Sequence, residues 1–261
     1  MSRWFSLARK EWMGLRWTML IAALAILAAD GYIAYKAPAW ASNVAEESLA
    51  IGLSFIPFAG LFIASLIAGY LAMRSEWQQH TSLRLLSYPV SGTGVVLAKV
   101  AVNAAALTVL AIIAGLGTWL VARRSPIMLM TLLGAEGPFA GMEAWEIWVN
   151  VLSMVVMGLS WLVCVIAAGA FAFVVGTLVP RIAGLVSALV YAVMVYLTGL
   201  YGSLALYLSS FLPNMPFIVY SHGALGAERF VIPVIPIWPL VVASVVMILV
   251  AGRLLDKEVD A

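Results

Sequence analysis

Long apolar runs broken by short polar interruptions set the pattern of this chain. A helix crossing the hydrocarbon core of a bilayer needs about 20 mostly apolar residues at ~1.5 Å each. Six runs reach that length, at about 17–36, 49–73, 95–122, 145–177, 182–208 and 235–252. Only Pro180 and Arg181 divide the fourth from the fifth, so that boundary rests on a helix-breaking proline. The pattern predicts an all-α integral membrane protein, with residues 1–261 forming one transmembrane domain of six helices.

Two stretches depart from plain spans. On a helical wheel Trp4, Phe5, Ala8, Trp12 and Leu15 share one side of residues 1–16, and Arg3, Ser6, Arg9, Lys10 and Arg16 share the other. This predicts an N-terminal amphipathic interfacial helix lying in the headgroup plane; a basic tail is the plainer alternative. Residues 209–234, between the fifth and sixth spans, carry Pro213, Pro216 and Pro233 yet remain apolar. Irregular backbone is not tolerated against lipid. The expectation is an outer re-entrant element of short half-inserted extracellular helices, with an ordinary outer loop as the alternative.

Composition fixes the solvent. The chain is 64% hydrophobic and 10% charged, whereas soluble domains are about a quarter charged, so lipid must cover most of its surface. A net charge of +2 gives no reason to expect nucleic acid. Basic residues orient the spans, because loops rich in Lys and Arg stay cytoplasmic. With the N-terminus inside, ten basic residues fall on inner segments and four on outer ones, Arg123 and Arg124 among the four. Both termini are therefore expected in the cytoplasm. No small-residue cleavage site follows the basic N-terminal segment, so the first run is expected to remain as an anchor. Cys164 is the single cysteine, which leaves no intrachain disulfide.

Catalytic chemistry is scarce. His80 and His222 fall on opposite sides of the predicted membrane, so a shared metal site is not expected. The run GTGVVLAK at 92–99 lacks the glycine-lysine and hydroxyl pairing of a phosphate loop, and no ATPase motif occurs in the chain. Asp30 is the one clear carboxylate within a span. Intramembrane carboxylates mark functional sites by default, while snorkelling to the outer headgroups or capping of nearby backbone are the bland readings. Small residues at four-residue spacing (Ser160, Cys164, Ala168, Ala172 and Gly176, then Gly184, Ala188 and Ala192) read as close helix packing. Two further faces, Phe55, Phe58, Phe62 and Ser65 in the second span and Tyr191, Met194, Thr198 and Tyr201 in the fifth, admit two readings. They are either interhelix packing or the lining of a path for amphipathic cargo.

The polar segment 74–91, RSEWQQHTSLRLLSYPVS, is far longer than a connection between two spans requires. It carries Arg74, Glu76, Trp77, His80 and Arg84 with a Leu83, Leu85 and Leu86 cluster. Pro89 ends any helix there by Tyr88, and Ser91 is placed to cap the next. The physics describes a short helix exposed to a partner.

The basic LARKEWMGLRW segment, the Arg74–Glu76 turn, and the ordered set Thr81, Leu83, Leu85, Leu86, Pro89, Val90, Ser91, Leu97 and Lys99 resemble the membrane subunit of type-2 ABC transporters. That is the permease class that includes bacterial exporters of drugs and polysaccharides. Members usually have a glycine before the threonine and an acidic residue after the first leucine; here His80 and Arg84 stand there. The resemblance implies that 74–91 is a cytoplasmic coupling helix, in which Arg74, Glu76, Trp77, His80, Thr81, Leu83, Arg84, Leu86, Pro89 and Ser91 meet a separate ATP-hydrolysing subunit. It implies two ATPase copies carrying ATP and Mg, a second permease subunit (identical or related), and residence in the bacterial cytoplasmic membrane. This chain itself would bind no cofactor and hold no ATPase site. The expected function is a permease subunit of an ABC exporter for an amphipathic or lipid-like substrate. An ATP-independent scaffold or immunity-type membrane protein, and an intramembrane enzyme, are the other classes open to such a sequence.

Overall fold

The structure, a computed structural model, describes residues 3–40, 44–78, 91–124, 142–208, 215–223, 226–234 and 237–259. Among them α1 (Arg3–Trp40), α2 (Val44–Ser54), α3 (Ile56–Gln78), α4 (Gly92–Arg123), α5 (Ala144–Thr177), α6 (Ala183–Leu208) and α7 (Ile237–Val259) build a helical bundle. Six helical stretches are long and apolar enough to cross a membrane, with α2 and α3 together making the second. This is the membrane fold that the hydropathy pattern predicts. Large apolar side chains point outward, among them Leu24, Ile63, Leu116, Leu185 and Val242, as a lipid solvent requires.

The break between α2 and α3 follows from Pro57, which has no N–H to donate to the preceding turn. Phe55 interrupts the helix there, and Thr118 Oγ1 of α4 donates to the Ser54 carbonyl at the break, 3.0 Å away. Pro180 has a similar effect between α5 and α6: a single 3₁₀ turn, Pro180–Ile182, separates them.

α1 and α4 run parallel in near-constant register. Glu11 meets Lys99 at one end, Ile26 packs with Leu110 and Ala114 midway, and Ile33 and Ala34 pack with Val121 near the other. The buried positions Ile26, Asp30, Ile33 and Ala37 on α1, and Leu110, Ala114, Gly117 and Val121 on α4, repeat at the spacing of a coiled-coil seam. α5 is the post of the other half, with every residue from Cys164 to Ala170 buried. Its neighbours approach through glycine. A Cβ at Gly69 of α3 would overlap the Ile166 carbonyl of α5, and one at Gly176 would overlap Ser187 of α6. Such close backbone approach replaces the hydrophobic drive that lipid removes.

Two expectations are corrected. The N-terminal segment is no separate interfacial helix, because α1 continues unbroken through Arg16 and Trp17. Nothing in the sequence stops it there, and Leu7 and Glu11 lie against Val95, Ala98 and Lys99 of α4, which holds the first turns along the bundle. The half-inserted helices expected before the last span are instead an antiparallel hairpin, β1 (Met215–Gly223) with β2 (Gly226–Val234).

The register explains how this hairpin tolerates its prolines. Asn150 of α5 accepts from the Ile218 N–H (2.7 Å) and donates to the Ile218 carbonyl (2.8 Å), so both groups point away from β2. Ile218 and Val231 therefore form a non-hydrogen-bonded pair. Two residues along, Pro216 opposite Pro233 has the same parity, and the missing N–H groups cost the ladder nothing.

Candidate functional site

Three helices converge on the start of α4, where the polar segment of the sequence rejoins the bundle. Ser91 is the N-cap, with extended backbone and a side chain that accepts from the Gly94 N–H at 3.3 Å; this satisfies one of the orphan donors of the first turn. The next donor, the Gly92 N–H, goes to Asp256 Oδ1 of α7 at 2.6 Å. A carboxylate at a helix N-terminus is favoured by the helix dipole. A Cβ at Gly252 would overlap Thr93, so α7 and α4 touch backbone to backbone at this point. Two turns on, Lys99 Nζ lies 3.0 Å from Glu11 Oε1 of α1, and Lys99 is only 2% exposed. A lysine so enclosed requires its partner, since an unpaired buried charge costs several kcal/mol.

Of the predicted coupling residues, Arg74 is exposed in the last turns of α3. Glu76 and Trp77 follow it on the same helix, their side chains outside the described residues. His80, Thr81, Leu83, Arg84, Leu86 and Pro89 also lie outside the described residues, and Ser91 is the helix cap. The pairs Glu11–Lys99 and Asp256–Gly92 escape sequence reasoning, because their members stand far apart in the chain and nothing local announces them.

α1 and α3 both pack on α4 but stand apart from each other, leaving a groove of about 1160 Å³ with α4 as its floor. Its walls mix small residues, such as Gly14 and Ala22 on α1 and Gly60 and Ala64 on α3, with aliphatic ones such as Met19 and Ile67. Lys10, Glu11 and Ser75 lie at one end. The aromatic face predicted on the second span does not line it. Phe55, at the break before α3, and Phe62 on α3 are exposed away from it, while Phe58 packs against the Ile26–Leu110 cluster. Ser65 is buried and donates to the Phe62 carbonyl at 2.6 Å. The large aromatic side chains suggested a path, whereas the space lies along sides lined by small and aliphatic residues.

The predicted residues of the fifth span turn inward. Tyr191 and Met194 pack on the core around α5. Thr198 is buried, donating to the Met194 carbonyl at 2.7 Å with Cys164 Sγ 4.0 Å away. The Tyr191 hydroxyl has no partner among the described residues. Tyr201 lies on α6, its side chain outside the described residues. α5 packs against both α3 and α6, so the two predicted faces do not meet within one chain.

Asp30 neither snorkels nor caps. It is 2% exposed in the α1–α4 seam against Gly117, where a Cβ would overlap the carboxylate, and neither oxygen has a partner among the described residues. No cluster of His, Cys, Asp or Glu able to hold a metal occurs among the described residues.

No significant match is found among curated proteins or solved structures. Residues 9–136 match the family model described as ABC-2 family transporter protein, a region that holds most of α1, all of α2 to α4 and the whole of segment 74–91. That match, on a bundle of six helices long and apolar enough to cross a membrane, makes nearly half of the chain similar to the ABC-2 type transporter permease family.

Proposed function

We propose that this permease subunit serves an ATP-driven exporter of an amphipathic or lipid-like substrate, and that segment 74–91 receives the motion of a separate ATPase. The observation that carries the reading is the placement of that segment. It lies inside the matched region, it bears charged and apolar anchors of the kind partners recognise, and it feeds directly into the capped, tightly held start of α4. The chain has no nucleotide-binding motif of its own, so ATP and Mg belong to the partner. Two ATPase copies and a second permease copy or relative would complete the assembly. The excess of basic residues on one set of segments supports a cytoplasmic side for both termini and the coupling segment, in the bacterial cytoplasmic membrane that the family likeness implies.

The groove between α1 and α3 suits the apolar part of such a substrate, because its walls offer surface without charge along most of their length. Phe55 before α3 and Phe62 on it remain exposed, where a second copy would meet them. The test is co-purification with an ATPase and measurement of ATPase stimulation. Trp77→Ala and Arg84→Glu should each weaken both. Full retention by the two variants would remove the coupling role from this segment.

A further inference from the structure

We infer that Glu11, Lys99 and Asp256 form a mechanical junction that binds the start of α4 to α1 and α7, so that a displacement of residues 79–90 is delivered to three spans together. The inference rests on the proposed ATP-driven coupling and adds residues that the coupling segment does not contain.

The geometry concentrates at one point. α4 begins directly after the segment, and its first N–H is held by Asp256 of α7 at 2.6 Å. Its second residue, Thr93, lies against the backbone of Gly252, leaving no side chain between the helices to absorb movement. Lys99, two turns on, is enclosed and bonded to Glu11 of α1 at 3.0 Å. Separating enclosed Lys99 from Glu11 costs more than sliding apolar side chains past each other, while Asp256, exposed on α7, holds α4 through its bond to the first N–H. The three helix ends therefore move as one body. α1 then carries the motion along its parallel seam with α4, through Ile26, Asp30 and Ile33, towards the end where Lys36 and Arg123 lie. Packed elements of this kind transmit displacement because they shift as units rather than deform.

The experiment uses the complex of this chain with its co-purifying ATPase, in a Cys164→Ala background. Spin labels at Tyr35→Cys and Val242→Cys, both exposed near the far ends of α1 and α7, report the distance change on adding Mg-ATP and vanadate. ATP hydrolysis is measured in parallel. The paired change Glu11→Ala with Lys99→Met strands no buried charge, and Asp256→Ala removes the acceptor for Gly92 at an exposed position; both should keep hydrolysis near wild type. The fraction of complexes that shift should fall about fivefold, the size expected when a contiguous network is cut. The exchange Glu11→Lys with Lys99→Glu should restore the shift, whereas a merely structural defect would lower hydrolysis and shift together. Variants that shift as fully as wild type overturn the junction. A wild-type complex without any shift overturns the ATP-coupling reading itself.

Discussion

The hairpin offers the sharpest numerical test of how this bundle is held together. Asn150 is buried and makes two hydrogen bonds to the backbone of Ile218, itself 1% exposed. Asn150→Ala leaves both Ile218 groups unpaired away from water, at about 1–3 kcal/mol each. These terms are not additive, so about 3 kcal/mol is a fair expectation for the pair, close to a hundredfold in the local opening equilibrium. Hydrogen–deuterium exchange in detergent should show the Ile218 amide, whose N–H bonds Asn150 rather than β2, exchanging about a hundredfold faster, with neighbouring β1 amides following it. Asn150→Leu keeps most of the volume but supplies no donor or acceptor, and should exchange as fast as the alanine variant. If leucine restores wild-type protection, packing rather than hydrogen bonding holds the strand. If alanine changes nothing, the Asn150 contact does not secure the hairpin.

Other outcomes follow from the same contacts. Gly69→Val forces a side chain into the Ile166 carbonyl; it should lower stability by about 1–3 kcal/mol or more, read as an earlier loss of the monodisperse peak after heating, and an unaltered melting curve would refute the glycine crossing. Thr118→Val strips the Ser54 carbonyl of its donor and should cost about 1 kcal/mol, seen as a melting temperature a few degrees lower, while an unchanged value would mean that the carbonyl finds another partner. Cys164 is 3% exposed, so maleimide should label it only after denaturation; rapid labelling of the native protein would contradict the packing of α5 with α6 and α7.

The six spans were legible because length and hydropathy alone decide them: lipid rewards any apolar run of sufficient length, whatever its packing. Pro180 announces its break through the missing N–H, whereas the run 49–73 reads as one span although Pro57 breaks it into α2 and α3. What stayed hidden depends on partners distant in sequence. The prolines of 213–234 argue against a helix, but placing Pro216 opposite Pro233 requires the register, and the register depends on Asn150 some seventy positions earlier. Asp30 read as a carboxylate near enough to the membrane edge to snorkel; its burial follows from Gly117 leaving room for it across the seam. The groove was missed for a related reason, since walls of small and aliphatic residues look like any span and only the separation of α1 from α3 turns them into a surface.

The central claim is that the segment after α3 is touched by an ATPase. Site-specific photo-crosslinking tests it most directly, with a photoreactive residue placed at position 84 and, as a control, at exposed Arg124 beyond the far end of α4. Crosslinks from position 84 to the co-purifying ATPase, with none from position 124, are the predicted result. An ATPase captured at position 124 but never at position 84 would contradict it.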